Sequence, residues 1–408
     1  MKRVCVVGLG YIGLPTALIL AANGIDVAGV DINKELVANL CEGNLAFEEA
    51  GLDLLLLDAM ANGILFTESI MPAEMYIIAV PTPYETDSKR INPIFLIKAI
   101  NNVLEVCPDQ GIIIVESTIS PGTIDRYVRP IINEKCAESG IVIHIAHAPE
   151  RILPGRMIYE LEHNPRTLGV DDEWTGQQVK ELYKSFCEAE IVITDVRSAE
   201  LIKIVENTFR DVNIAFANEL CKICRKEDIN VYEIIRIANM HPRVNILQPG
   251  PGVGGHCISV DPWFLVGDHP DLSLLIHEAR NINNSMPDYV LSRARDIMLK
   301  HDMQDITRVG VYGLTYKEDI NDTRESPTLQ MFDRITRHLG QLPKVYDPML
   351  NRDIVPGQYH DFDSFLADID FIIIMVGHSH IREHMVKLKG KIILDTRNVC
   401  AMDDVYKI

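Results

Sequence analysis

The sequence contains no apolar run long enough to cross a membrane and no excess of basic residues. A membrane helix needs roughly 18 consecutive apolar residues, and no stretch reaches that length. Lysine and arginine number 39 against 58 aspartates and glutamates, so the formal net charge is −19. This charge disfavours a nucleic acid or a membrane surface as a partner, although a few local arginines can still bind a small anion.

A disulfide framework and a signal peptide are also missing. The nine cysteines are odd in number and irregularly spaced, which is typical of reduced thiols in a cytoplasmic protein. Cys221 and Cys224 form a C-x-x-C pair, but no second pair or histidine cluster accompanies them, so no metal site is predicted. The first apolar run, residues 3–7, breaks at glycines without a cleavage site, and this favours a β-strand over a signal peptide.

The chain of 408 residues is long enough for two or three domains, and its pattern changes twice. Short apolar runs alternate with helical stretches in the first and last parts, which predicts α/β domains with doubly wound parallel sheets. The middle part follows a period of 3.6 with an interruption at Pro287. It predicts a helical segment whose long amphipathic helix can form a dimer interface. The predicted domains are 1–195, 196–300 and 301–408.

The first domain carries a dinucleotide-binding fingerprint, formed by Gly8, Gly10, Tyr11, Ile12 and Gly13. The motif follows a predicted strand and opens a predicted helix, and Asp31 ends the next strand eighteen residues after Gly13. Glycines permit a tight turn and let a pyrophosphate approach the helix N-terminus. An acid at the end of the second strand binds ribose hydroxyls and repels a 2′-phosphate, so NAD is predicted rather than NADP.

Polar residues follow the next predicted strands, at 75–80, 112–116 and 142–146, and a further strand is expected at 191–194. Ligands bind at the carboxyl edge of such a sheet. Cofactor contacts are therefore expected from Pro81, Thr82, Ser117 and Thr118. The loop after the strand at 142–146 adds Glu150, Arg151 and Arg156 at the same edge.

A glycine-rich stretch at residues 249–263 places four glycines just before Cys257, with Asp261 four residues later. Such a loop can direct several N–H groups at an oxyanion, and a thiol beside it is a candidate nucleophile. Taken alone, the pattern also fits a tight loop around a buried cysteine. Lys203 and Asn207 lie four residues apart and share one face of the preceding long helix. Together with NAD, a nucleophilic cysteine predicts oxidation of an aldehyde through a thiohemiacetal and a thioester.

The last domain shows strand patterns at 306–312, 343–346, 371–376 and 392–394. Basic residues stand at the predicted strand ends, where phosphates would bind: Lys317, Arg324 and Arg397.

These features together resemble the UDP-glucose/GDP-mannose dehydrogenase family over essentially the whole chain. The matching elements are residues 8–13, Glu116-Ser117-Thr118, Pro149-Glu150-Arg151, Glu200 to Lys203 with Asn207, Gly254 to Cys257 with Asp261, and Lys317 with residues 322–326. Stretches 147–156, 207–220 and 241–257 are most similar to the branch that oxidises UDP-N-acetyl-D-mannosamine. The resemblance implies an N-terminal Rossmann NAD domain, a central helical dimerisation segment and a C-terminal Rossmann-like UDP-sugar domain.

The resemblance also implies the reaction and its partners. UDP-N-acetyl-D-mannosamine, two NAD+ and water would give the uronate for polysaccharide biosynthesis, in a homodimer or a dimer of dimers. UDP-N-acetylglucosamine and UDP-glucose are the alternative substrates. A two-electron hydroxy-acid or 6-phosphogluconate-type dehydrogenase is a rival prediction, but it needs neither the cysteine nor a second α/β domain. A regulatory protein that binds a nucleotide sugar without turnover is another.

Residue roles follow from the same resemblance. Cys257 would be the nucleophile, Lys203 with Asn207 would stabilise the oxyanion, and Asp261 with Thr118 would position or activate water. Glu150 would act as acid and base or hold substrate hydroxyls. Arg324 would contact the cofactor. The implied substrate ligands are Glu150, Arg151, Lys203, Asn207, Arg243, Asn245, Gly250, Gly252, Gly254, Lys317 and Arg397, with Arg243 supplied by the second subunit.

Three alternatives stay open at this level. Glu150 could simply pair with Arg151. His256 adjoins Cys257 and could form a dyad, although adjacent side chains rarely face each other, so a packing or substrate contact is preferred. Arg151 and Arg156 fit either surface charges or substrate and interface contacts.

Overall fold

The computed structural model describes residues 3–255, 257–339 and 342–408, apart from the side chains of 337–339. The chain forms two units, Met1–Glu206 and Asn207–Ile408. Each unit is built on one β-sheet flanked by helices. Within the described ranges, no helix combines the length and the apolar character needed to span a membrane.

The first unit alternates strands and helices. Its strands are β1 (Arg3–Val7), β2 (Asp26–Val30), β3 (Leu65–Thr67), β4 (Met75–Ile78), β5 (Gly111–Val115), β6 (Ile143–His147), β7 (Arg166–Val170) and β8 (Ile191–Thr194). Its helices are α1 (Gly13–Ala22), α2 (Lys34–Cys41), α3 (Leu52–Ala61), α4 (Ile94–Leu104), α5 (Arg129–Ser139), α6 (Met157–His163), α7 (Glu173–Lys184) and the start of α8 (Val196–Lys226). A π-helical turn, Ile124–Val128, leads into α5.

The strand order is β3-β2-β1-β4-β5-β6-β7-β8, and β1 to β6 are parallel. This confirms the doubly wound sheet, whose order reverses between β1 and β4. Helix α1 is apolar on every face, so nine of its ten residues are buried. It packs against α3 and α6, and this fixes its N-terminus at the edge where the order reverses.

The sequence prediction is wrong for the direction of the last strand. Strand β7 pairs antiparallel with β6, and β8 runs parallel to β7, so residues 191–194 point opposite to β1–β6. The prediction also misses β7, because Arg166 and Gly169 interrupt its apolar pattern. Arg166 and Gly169 each have a physical reason to be in this strand. Arg166 can be buried because it is ion-paired with Glu150. Gly169 leaves room for α8, since a Cβ at this position would lie 2.6 Å from the Cβ of Ala199.

The second unit begins with helices and ends in another sheet. Its helices, after the rest of α8, are α9 (Val231–Ala238), α10 (Asp261–Asp268), α11 (Leu274–Asn284), α12 (Met286–Lys300), α13 (Pro327–Leu339), α14 (Phe362–Ala367) and α15 (Ser379–Glu383). Its strands are β9 (Val309–Tyr312), β10 (Lys344–Tyr346), β11 (Gln358–Tyr359), β12 (Phe371–Ile374), β13 (Ile392–Asp395) and β14 (Tyr406–Lys407).

This second sheet is parallel throughout, in the order β11-β10-β9-β12-β13-β14. It repeats the order of the first six strands of the first sheet, so the predicted second α/β fold is confirmed. The predicted helical break is confirmed as well. Pro287 sits in the first turn of α12, where a missing N–H costs nothing.

Candidate active site

The turn after β1 has the geometry of a dinucleotide-binding site. Gly8 has φ 94°, and a Cβ at Gly13 would clash with the carbonyl oxygen of Gly8. Only glycine therefore lets α1 start so close to β1. The Tyr11 ring stacks on Phe47 at 4.3 Å, and Ile12 packs against the core. The N-terminus of α1 is left facing the turn, ready for a pyrophosphate.

Asp31 is held at the end of β2 on the other side of this turn. Its carboxylate accepts hydrogen bonds from the N–H groups of Leu9 and Asn33, each at 2.8 Å. A carboxylate has further lone pairs, which fit the hydroxyls of an adenosine ribose. The residues present therefore fit NAD.

The two loops after β4 and β5 are tied together. Thr82 donates its hydroxyl hydrogen to the carbonyl of Thr118 at 2.6 Å, and Ser117 donates to the carbonyl of Val80 at 2.7 Å. Pro81 lies between these anchored residues. The four cofactor contacts predicted on these two loops are thus neighbours in the structure.

Behind this edge lies a buried polar cluster centred on Arg166, which sequence reasoning missed. Arg166 is ion-paired with Glu150, lies 3.6 Å from Glu116, and stacks over the ring of Tyr183 at 4.4 Å. Glu116 accepts hydrogen bonds from Tyr183 at 3.0 Å and Thr16 at 3.1 Å. Burial raises the pKa of Glu116 to about 7, although Arg166 opposes this. Two carboxylates share one guanidinium, so the cluster can retain a proton near neutral pH.

Glu150 is committed to holding its own loop. It accepts hydrogen bonds from the N–H groups of Arg151 at 2.6 Å and Ile152 at 3.2 Å, besides its ion pair with Arg166. The guanidinium of Arg151 turns elsewhere, to Glu206 at 3.0 Å. The alternative in which Glu150 pairs with the Arg151 side chain is therefore wrong.

Arg156 lies on the surface of the first unit. It is exposed and stacks over the ring of Tyr159 at 4.8 Å. Of the two alternatives for this residue, the structure favours a surface charge.

Lys203 is a buried amine without a partner among the residues that the structure describes. Only 7% of the residue is exposed, and its Nζ makes no hydrogen bond or ion pair with any residue that the structure describes. Burying an unpaired ammonium costs several kcal/mol, so such a group is typical of a ligand site. The first turn of α8 is fixed by Glu200, whose carboxylate accepts the N–H groups of Gly122 and Ile124. Burial raises the pKa of Glu200 to about 7.

The second unit brings three predicted catalytic residues together. Asn207 donates its amide hydrogen to Asp261 at 2.6 Å, and both side chains are buried. Asp261 opens α10, and its N–H donates to the carbonyl of Cys257 at 2.8 Å. Cys257 is half-buried one turn before α10, whose N-terminus favours a negative group nearby. His256 lies outside the described residues, so the proposed dyad stays a prediction.

The glycine loop before Cys257 packs tightly against protein atoms. A Cβ at Gly254 would lie 2.6 Å from the carbonyl oxygen of Glu325, and one at Gly252 would lie 3.1 Å from Pro327. Gly250 adjoins the exposed Arg397, whose guanidinium would be 2.6 Å from a Cβ there. The loop and the end of β13 are therefore brought together, while contact of these glycines with substrate stays a prediction.

The remaining predicted ligands are scattered over loops of the second unit. Arg324 forms an ion pair with Asp322 at 2.6 Å, and the carbonyl of Lys317 accepts the hydroxyl hydrogen of Thr315 at 2.9 Å. Arg243 and Asn245 are exposed on the segment after α9. Exposure of Arg243 is compatible with the predicted role in a second subunit.

A buried hydrogen-bonded chain anchors the glycine loop and was not predicted. Asn218 on α8 accepts the N–H of Gly250 at 2.9 Å and donates to Asn283 at 2.9 Å. Asn283 donates to Asp211 at 2.8 Å, and Arg280 pairs with Asp211 at 2.6 Å. All four side chains are buried. A sequence signal existed, because Lys203, Asn207, Asp211 and Asn218 form one polar stripe at helical spacing.

Sequence comparisons match the chain to one family in three parts. The description "UDP-glucose/GDP-mannose dehydrogenase family" applies to its NAD binding domain at residues 2–187, its central domain at 197–285 and its UDP binding domain at 310–402. The chain is 41% identical to the UDP-N-acetyl-D-mannosamine dehydrogenase of Methanococcus aeolicus, over 98% of this chain and 91% of that protein.

Solved structures give the same result. A UDP-D-ManNAc dehydrogenase from Pyrococcus horikoshii aligns with a TM-score of 0.92 and 34% identity, covering 100% of this chain and 99% of the other. The UDP-N-acetyl-mannosamine dehydrogenase Cap5O from Staphylococcus aureus aligns with a TM-score of 0.88 and 39% identity, covering 100% and 98%.

Proposed function

Because the chain belongs to the UDP-glucose/GDP-mannose dehydrogenase family, we propose that it oxidises UDP-N-acetyl-D-mannosamine at C6 to the uronate. NAD is the cofactor of the family's N-terminal domain, and the Gly8–Gly13 turn fits it. The observation that carries the sugar assignment is the identity of about two residues in five, over nearly the whole chain, with relatives named for this substrate.

The proposed reaction removes four electrons. NAD supplies the hydride acceptor in each of two steps. One alcohol, two NAD+ and one water give one carboxylate, two NADH and three protons. A thiolate at Cys257 adds to the C6 aldehyde, and loss of the second hydride leaves a thioester. Water then hydrolyses the thioester, and this step releases the carboxylate and regenerates the thiolate. The thioester retains the intermediate between the two oxidations.

The surrounding groups fit this sequence of steps. The unpaired Lys203 supports stabilisation of the C6 oxyanion. Asp261, fixed by Asn207, is proposed to orient water for thioester hydrolysis together with Thr118. The Glu150 carboxylate already binds two backbone N–H groups and Arg166. This supports a role in which Glu150 holds its loop against the substrate and does not donate a proton. The basic residues Lys317, Arg397 and Arg243 are proposed as ligands for the diphosphate and sugar.

A substrate panel tests the sugar assignment. With NAD in excess, UDP-N-acetyl-D-mannosamine is expected to give a kcat/KM at least about tenfold above that of UDP-N-acetylglucosamine, UDP-glucose or GDP-mannose, since specificity reflects differential contacts in the transition state. Absorbance at the endpoint should correspond to two NADH per sugar. A higher kcat/KM for another sugar would overturn the substrate assignment, and one NADH per sugar would support the two-electron rival.

We also propose a homodimer formed along α8. Phe209, Phe216 and Ile223 recur every seven residues and are 63%, 53% and 54% exposed. A regular apolar seam on a 31-residue helix is complementary to a second copy of the same helix. A dimer of dimers would need a further interface.

Changing Phe216 to aspartate should weaken the dimer by at least about 100-fold, because it places a charge in the centre of an apolar interface. Light scattering after size-exclusion chromatography measures the mass over a dilution series. Leu272→Asp is the control, since Leu272 is 86% exposed and belongs to the loop between α10 and α11. The proposal fails if Phe216→Asp leaves the mass unchanged or if both variants dissociate equally.

The cytoplasm is the proposed location. The eight cysteines other than Cys257 form no disulfide, as expected of a reducing compartment.

A further inference from the structure

A cavity in the second unit shares no residue with the proposed substrate site. Its volume is about 300 Å³. It is bounded by the end of α8, the start of α9, α12 and the segment around β14. This volume is at the lower end of the range for small-molecule sites.

Two arginines on its wall have no carboxylate partner among the described residues. The side chain of Arg225 makes no hydrogen bond or ion pair with any of them, and Arg293 approaches none of their carboxylates within 4 Å. Asp228 is the one acidic side chain on the wall, and it pairs with neither arginine. The basic Lys407 is already neutralised by Asp395 at 2.6 Å. In a chain with a net charge of −19, such an uncompensated pair of arginines is unusual.

Arg293 is buried as well as unpaired. Only 7% of the residue is exposed, and one terminal guanidinium nitrogen is buried without a hydrogen bond to any residue that the structure describes. Its Nε donates weakly to the carbonyl of Lys407 at 3.4 Å, and its guanidinium lies 5.5 Å from the ring centre of Tyr406. Burial lowers its pKa, and the charge of Arg225 lowers it further. Asp296 and the tyrosines beside it act in the opposite direction. The two guanidinium groups therefore repel each other, and an anion between them would relieve that repulsion.

Neutral donors complete the wall. Helix α9 starts at the cavity, and the Asn230 side chain caps it by accepting the N–H groups of Tyr232 and Glu233. The positive end of this helix therefore faces the same space. The hydroxyl of Tyr232 is buried and has no hydrogen-bond partner in the described part of the chain. The cap occupies these two N–H groups, so the donors left for a ligand are the two arginines and the Tyr232 hydroxyl. Arginine side chains are the residues that phosphate groups recruit most often in proteins.

We propose that this cavity binds a small phosphate-bearing anion, with Arg225 and Arg293 as its charged ligands. The site is separate from the UDP-sugar and NAD sites, and its existence does not depend on the proposed reaction. Asp395 links the cavity wall to the substrate side, since it binds Lys407 and also accepts the N–H of Arg397 at 2.9 Å. An occupant would thus sit next to the loop that carries a proposed UDP ligand.

Calorimetric titration with pyrophosphate, in a phosphate-free buffer at constant ionic strength, tests the proposal on the intact chain. The titration is made with saturating NAD, which occupies the pyrophosphate-binding turn Gly8–Gly13 of the first unit. The proposed UDP site also takes pyrophosphate, so the wild type is expected to bind two per chain. Arg225→Met and Arg293→Met should each weaken one of the two by at least about tenfold, because each removes a charge-assisted contact. Arg295→Met is the matched control, since this exposed arginine lies on the same helix α12 and outside the cavity wall.

The variants separate the possible results. Arg225 is exposed, so its loss is not expected to affect folding even if Arg293→Met lowers the Tm. If the proposed substrate site did not exist, the wild type would bind one pyrophosphate and Arg225→Met would bind none, which still supports the cavity. A second titration with ADP shows whether the anion is accepted free or on an organic carrier. The proposal is overturned if Arg225→Met binds like wild type, or if Arg295→Met loses the same site.

Discussion

Replacing Cys257 with alanine should abolish uronate formation while changing UDP-sugar affinity by no more than about threefold. The thiolate forms and breaks the covalent bond to C6, whereas the sugar nucleotide is held by other proposed groups. Loss of a nucleophile typically lowers kcat by at least about 10⁴-fold. The product is measured by mass spectrometry and the affinity by calorimetry.

Cys136→Ala is the matched control, because Cys136 is also half-buried but lies in α5 of the first unit. It should retain wild-type kcat. Uronate production by Cys257→Ala at more than about 1% of the wild-type rate would rule out the thioester route. Lost production together with lost binding would instead indicate that Cys257 acts on the shape of the loop.

Replacing Asp211 with alanine should destabilise the second unit by about 3–5 kcal/mol, because it leaves the Arg280 charge buried without its partner. The two side chains are 0% and 2% exposed, and they lie 2.6 Å apart. Burial raises the pKa of Asp211 even though Arg280 opposes this, so the pair's own desolvation is expensive. For a unit of this size, the loss corresponds to a fall in Tm on the order of 10 °C.

Two further variants make this prediction specific. Arg236→Met breaks the exposed pair with Glu233 and should shift the Tm by no more than about 2 °C. The double change Asp211→Leu with Arg280→Met removes both charges, so it should lose less stability than Asp211→Ala alone. A Tm unchanged by Asp211→Ala would show that the buried hydrogen-bonded chain through Asp211 is not required for stability. It would also contradict the inference that this chain anchors Gly250.

The cofactor half of the site follows from local sequence rules. Gly8, Gly13 and Asp31 are set by short-range sterics and spacing, and these are visible within about thirty residues. Four strands of the second sheet were predicted for the same reason, since each is a short apolar run. The two-residue edge strands β11 and β14 were not predicted, because Gln358–Tyr359 and Tyr406–Lys407 form no apolar run. The resemblance of separate motifs to one family supplied the catalytic roles, which spacing alone left open.

Long-range contacts account for what sequence reasoning missed. Arg166 lies in the middle of a strand, and only the folded sheet shows that Glu150 and Glu116 flank it. Leu201 and Val205 belong to the apolar periodicity of α8, yet both are more than 40% exposed. The helix instead buries a polar stripe that includes Asp211. Helical periodicity identifies the faces of a helix, but it does not show which face is covered when buried polar groups satisfy one another.

The two sheets share a strand order but offer phosphates different kinds of attraction. The turn Gly8–Gly13 has no basic side chain and relies on backbone dipoles, whereas the second unit places Lys317 and Arg397 in the loops that follow β9 and β13. Dipolar attraction is short-ranged, while full charges act over a Debye length of about 10 Å. In the proposed reaction, NAD is exchanged once between the two oxidations while the sugar nucleotide stays. If the proposed ligands are correct, we therefore expect a shorter residence time for NAD than for the sugar nucleotide.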